Sequence, residues 1–121
     1  MPSTLHQPHK LLFDVISAAE AIGTFIEGRS RDEYLSDLML RSAVERQFEI
    51  VGEALRRLQI LDQSLAKLIT DYRRIIDFRN LIAHGYDVVE ADAVWQFATR
   101  NRKVLLQDVR VLLANLGQAD Q

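Results

Sequence analysis

The residues best placed to do chemistry lie in the stretch "RNLIAHGY": Arg79, Asn80, His84 and Tyr86. Histidine titrates near neutrality, so it can take a proton and return it. Arginine stays charged and can hold a phosphate while charge builds on its oxygens. Asparagine can orient an imidazole or donate to a phosphate oxygen, and tyrosine can contact a base or a phosphate. If the stretch is helical, Asn80 and His84 lie about 40° apart and one turn above each other. Arg79 and His84 lie about 140° apart, so one straight helix does not close both on a small group. Three arrangements would bring them together. The long arginine can wrap round, the helix can end before His84, or two copies can face each other across a twofold axis.

Such a cluster suits RNA cleavage, because RNA carries its own nucleophile in the 2′-hydroxyl beside the scissile phosphate. Neither a metal nor a protein nucleophile is then required. The plainer reading stays open. A histidine followed by Gly85 is an ordinary helix ending with a favourable dipole contact, Arg79 can serve a salt bridge, and Tyr86 can be packing. Arg73 and Arg74 precede Arg79 on the same segment. They are either solvated or the rim of an RNA groove.

Other chemistries find little support. The 121-residue chain has no cysteine, so disulfides, thiolate metal sites and a thiol nucleophile are excluded. His6 and His9 flank Pro8 near the start, and no serine elbow accompanies any histidine. No two histidines are four apart, and the carboxylate row Glu45, Glu49, Glu53 reads as a solvated helix face. No metal or cofactor is expected. The five glycines are isolated, so no phosphate loop exists. A formal charge of −2 speaks against general coating of nucleic acid, though not against a local phosphate site. No segment has the roughly 18 apolar residues of a membrane span, and no export signal is evident. The expected compartment is the cytoplasm of a microbe.

The elements that must position the cluster are helices. Both prolines fall in the first eight residues, so order is expected from about residue 9, after an extended or disordered tail over 1–8. Leu11, Leu12, Val15, Ile16, Ala19 and Ile22 repeat at three and four in a first helix to about Ile26, stopped by Gly28. After "GRSRDE", Tyr34 and Leu35 suggest a short turn or a first helical turn. A long second helix, capped by Ser36 or Asp37, runs to about Leu58, with Leu38, Val44, Phe48, Val51, Leu55 and Leu58 on one face. Gly52 sits inside it, where glycine costs about 1 kcal/mol against alanine, and a close neighbouring backbone is the usual reason. Leu65, Leu68 and Ile69 mark a short helical turn. Asp71 caps the third long segment, which carries the cluster. Asp87 and Glu90 have capping-box spacing before a last helix to about Leu116, with a polar middle at "TRNRK". The expectation is one all-α domain over 9–116, an antiparallel bundle of four main helices plus short helical turns, with a frayed tail over 117–121.

The sequence resembles the HepT-like ribonucleases of the HEPN superfamily. Their pattern is an arginine, four to six residues beginning with a polar one, a histidine, and a tyrosine two residues further on. Arg79, Asn80, His84 and Tyr86 match it. The upstream stretch "AVERQFEIVGEALRRL" resembles the family's long second helix, including Glu49, Gly52, Glu53 and Ala54. The likeness spans about residues 9 to 115. It implies a HEPN-like homodimer with a composite active site, acting as the endoribonuclease toxin of a type VII toxin–antitoxin system without a metal. Arg79 and His84 would be the catalytic pair and Asn80 their support. The implied partner is a minimal nucleotidyltransferase antitoxin that transfers AMP to Tyr86, where added bulk and negative charge would repel RNA. The other reading is a non-catalytic scaffold or substrate-presenting subunit of that nucleotidyltransferase.

Overall fold

A computed structural model describes the backbone of residues 6–83 and 88–119, and the side chains of residues 7–79 and 90–117. Every element among them is helical: α1 (His6–Ile26), α2 (Arg31–Ser36), α3 (Leu38–Leu61), α4 (Gln63–Ala66), α5 (Tyr72–Ala83), α6 (Val88–Gln96), a π-helical turn (Phe97–Asn101) and α7 (Arg102–Ala119). Four long units dominate, namely α1, α3, α5 and the run from α6 through α7. The expected all-α bundle is what the chain forms.

The hydrophobic stripes do the assembly. Leu12, Val15, Ala19 and Ile22 of α1 meet Val44, Phe48, Val51, Leu55 and Leu58 of α3, and nearly all are sealed from solvent. Side chains of this size contribute about 1.5–3 kcal/mol each on burial. Helix α1 packs most extensively on α3, and α7 and α5 cover the remaining flanks. Phe48 stands at the centre, edge-on to Phe97 at 4.3 Å and to Phe78 at 5.5 Å.

The chain's punctuation is local. Gly28 takes φ +73°, the left-handed conformation that glycine adopts freely, just beyond the end of α1. In "GRSRDE" a capping box forms, and Tyr34 and Leu35 belong to the helical turn it starts. Ser30 Oγ accepts from the Glu33 amide at 3.1 Å, and the Ser30 amide donates to the Glu33 carboxylate at 3.0 Å. This box starts α2 and delivers Tyr34 into the core, 5.3 Å from Trp95. Asp37 caps α3, accepting from the Leu40 amide at 3.0 Å. Asp71 departs from a simple cap. It adopts φ +60°, and its carbonyl accepts the Ile75 amide at 3.1 Å.

Three helix bounds differ from expectation, and α3 supplies one by running to Leu61, past the expected end at Leu58. Helix α1 begins at His6, so positions 6–8 are helical and not extended. Pro8 is tolerated there because the first-turn amides have no intrahelical acceptor. Helix α7 continues to Ala119, three residues past the expected end. The polar "TRNRK" region coincides with the π turn, where Arg102 Nε donates to the Ala98 carbonyl at 2.8 Å. The proposed capping box at Asp87 lies outside the described residues, as does Gly85.

Candidate functional site

Helix α5 is short and amphipathic. Tyr72, Ile75 and Ile76 are buried and fix its orientation against the bundle. Arg79, one turn further on, is thereby aimed at α3 instead of at solvent. What it meets there explains the glycine inside α3. The aliphatic stem of Arg79 lies directly across Gly52, so that a Cβ at 52 would stand 2.7 Å from Arg79 Cβ and 2.8 Å from its Cδ. The close neighbour is a side-chain stem, not the passing backbone expected from sequence. Glycine is the residue that lets α5 approach this closely.

The next residue of α3 holds the other end of the arginine. Arg79 Nη2 is 3.3 Å from Glu53 Oε2, with both side chains under one-third exposed. Glu53 also pairs with Arg56 and Arg57, each at 3.0 Å. Hydrogen bonds from Arg56 first, then Arg57, hold the Glu53 carboxyl at about 2, below the ordinary carboxylate value, with the charge of Arg79 adding to the effect. Three guanidinium groups share one carboxylate, so the cluster keeps a positive surplus while its geometry is fixed.

Arg79 and Glu53 border a hollow of about 240 Å³, which Arg57, Arg46, Glu49 and Asp14 also line. The reading of Glu45, Glu49 and Glu53 as a solvated face is therefore corrected. Glu45 is buried, Glu49 and Glu53 are only partly exposed, and the latter two border this hollow. The cause is the i, i+4 row itself, which runs along the side of α3 beneath α5. Among the described residues no group of three His, Asp or Glu side chains forms a metal-ligand cluster.

The other candidates fall differently. Asn80 belongs to α5 by its backbone, and its side chain is outside the described set. His84 and Tyr86 also lie outside the described residues; in sequence His84 directly follows Ala83, where α5 ends. Arg73 and Arg74 are exposed and do not join Arg79. Arg73 Nε donates to the Tyr72 hydroxyl at 3.0 Å, and Arg74 lines a separate hollow with Phe78 and Asn101. The sequence marks Gly52 as a close approach and Glu53 as part of a charged row, but it does not join either of them to Arg79.

No described helix is long and apolar enough to cross a membrane. A protein of Methanocaldococcus jannaschii that carries the name "Putative RNase MJ1380" is 22% identical over 103 residues, covering 84% of this chain and 92% of that protein. No solved structure matches the chain. The family model described as "Ribonuclease HepT-like" matches residues 15–112, which takes in the α1–α3 core, Gly52, Glu53 and the whole of α5. The chain belongs to the HepT-like ribonuclease family.

Proposed function

We propose that the protein is a metal-independent endoribonuclease toxin that cleaves RNA by 2′-hydroxyl attack, with Arg79 and His84 as its catalytic pair. The observation that carries this reading is the seat built for Arg79. A family arginine is set by Gly52 and Glu53 at the border of a charged hollow, near the helix end that His84 follows. Position is what such a reaction needs, since most of its barrier is lowered by orientation and charge.

The step balances without a cofactor. His84 takes the proton of the 2′-hydroxyl as its oxygen bonds to phosphorus, and Arg79 neutralises the non-bridging oxygens. The bond from phosphorus to the 5′-oxygen breaks, and an imidazolium returns a proton to that oxygen. A 2′,3′-cyclic phosphate and a 5′-hydroxyl result. A twofold dimer would supply two histidines, one for each proton transfer. Asn80 supports the pair. A minimal nucleotidyltransferase would silence the site by joining AMP to Tyr86, adding negative charge two residues from His84.

The direct assay is purified protein with total RNA or tRNA in EDTA. Cleavage by wild type and its loss in an Arg79→Ala, His84→Ala double variant is expected. No wild-type cleavage, or undiminished cleavage by the double variant, refutes the proposal. The scaffold reading predicts full viability when the chain is expressed without its partner. Growth arrest there favours the toxin.

A further inference from the structure

A second hollow, of about 390 Å³, lies on the other side of α5 from the Glu53 cluster. Its size falls in the range of small-ligand sites, roughly 300–1,000 Å³. Phe78, only partly buried, presents its ring to the hollow, and the nearly sealed Phe48 and Phe97 lie behind it, each of Phe78 and Phe97 edge-on to Phe48. Gln96 and Asn101 bring two side-chain amides, each with donors and an acceptor. Asp71 and Asp92 add carboxylates, and one oxygen of Asp92 takes Arg31 Nε at 2.6 Å. Arg74 is exposed on the same lining and makes no ion pair among the described residues.

This surface hollow combines the ring of Phe78, two amides that can read a hydrogen-bonding edge, and an exposed guanidinium. That combination matches a single nucleotide: a base against Phe78, its edge on the amides, and its phosphate at the arginine. The π turn begins at Phe97 and ends at Asn101, so both of its ends lie on this wall. Turns of this kind occur often at functional sites because they displace side chains from the regular helical register.

We propose that this hollow is a nucleobase-binding site, with Arg74 contacting the phosphate of the same nucleotide. The inference rests on the ribonuclease reading for the source of the ligand, an RNA strand. It gives Arg74 a role as the phosphate contact of that nucleotide. Arg74 thus returns as an RNA contact, but on a different wall from the groove rim expected beside Arg79.

The test uses the isotope-labelled full chain, titrated with the four nucleoside 5′-monophosphates and separately with inorganic phosphate. Followed by NMR, the side-chain amides of Gln96 and Asn101 should shift with at least one monophosphate and stay unmoved with inorganic phosphate. Arg74→Gln should weaken that monophosphate about fivefold, the size of one exposed ion pair. A Gln96→Leu, Asn101→Leu double variant should weaken it more, while its remaining spectrum reports an intact fold. No shift at either amide with ligand up to about 10 mM, well past a ~1 mM dissociation constant, would overturn the proposal. So would the same shifts from inorganic phosphate, or undiminished binding by the double variant. RNA cleavage measured on the same preparations separates the two readings. Binding without cleavage supports this site while removing the nuclease, and cleavage without binding removes this site alone.

Discussion

Replacing Gly52 with alanine tests the seat of Arg79 with one methyl group. The added carbon would lie 2.7 Å from Arg79 Cβ, 2.8 Å from Cδ and 3.1 Å from Cγ. Carbon atoms settle about 3.5–4.0 Å apart, so a gap of about 1 Å must be opened. Arg79 can swing Cγ and Cδ aside, but its Cβ is fixed to the α5 backbone. The helices must therefore part or slide. Overpacking of this kind costs about 1–3 kcal/mol. Alanine returns about 1 kcal/mol in helix propensity, leaving a net loss of roughly 0–2 kcal/mol. Activity should suffer more, because a displacement near 1 Å in a catalytic group can cost about 100-fold. Gly23→Ala is the control. Its added carbon would meet Arg102 Nη1 at 2.7 Å and Cζ at 2.9 Å, the free end of a flexible side chain. That guanidinium can shift by loosening its Nε bond to the Ala98 carbonyl, a cost that offsets the gain in helix propensity, so Gly23→Ala should stay within about 1 kcal/mol of wild type and leave cleavage intact. Urea unfolding gives the stabilities, and RNA cleavage in EDTA gives the activities. If Gly52→Ala cleaves as well as wild type and is no less stable, the proposed role of that close approach is wrong.

Three further outcomes follow from named contacts. The Glu53 carboxyl is depressed from 4.5 to about 2 in the folded protein, so its ion pairs contribute fully above about pH 4.5 and are lost as pH falls toward 2. The stability gap between wild type and Glu53→Gln, about 1 kcal/mol at pH 7 for pairs this exposed, should close across that window in urea titrations. A gap independent of pH would show that packing, not charge, is what Glu53 supplies. Ser30→Ala removes one half of the capping box and should cost about 1 kcal/mol by the same measurement, with cleavage unchanged. Trp95→Ala should cost about 3–5 kcal/mol, since it empties the buried space against Tyr34.

The architecture was largely legible because stripes of apolar residues at three and four leave few alternatives to packed helices. Val44, Phe48, Val51, Leu55 and Leu58 read as one face and form one buried face, whereas Leu38, read onto the same face, is the first residue of α3 and is exposed. The short helix α2 was not legible in that way. Its six residues are too few for a periodic signal, and its start rests on the reciprocal Ser30 and Glu33 bonds. Proline gave a misleading boundary near residue 8, because a helix tolerates it in the first turn. The candidate site was half legible. Arg79 stands out by type and spacing, whereas the function of Gly52 depends on what crosses it from a helix 27 positions later in the chain. No local pattern states which neighbour that is. The carboxylate row misled for a related reason. A run of glutamates at i+4 has the same sequence whether it faces water or the flank of another helix.

The seat of Arg79 also bears on how such a site meets RNA. Glu53 fixes the guanidinium in place, yet any phosphate that binds Arg79 must share it with that carboxylate. The hollow balances Arg46, Arg57 and Arg79 with Asp14, Glu49 and Glu53, and the whole chain carries a formal charge of −2. Long-range attraction for a polyanion is therefore weak, and salt screens what remains within about 10 Å. Binding energy has to come from contacts made only when a strand is correctly placed. Preorganisation by Glu53 lowers the cost of reaching that placement, while its charge discourages loosely held strands. On the proposed function, the same carboxylate would favour selective cleavage over general degradation. A site arranged in this way would also be sensitive to inhibition, because one added phosphate beside it shifts an electrostatic balance that starts close to neutral.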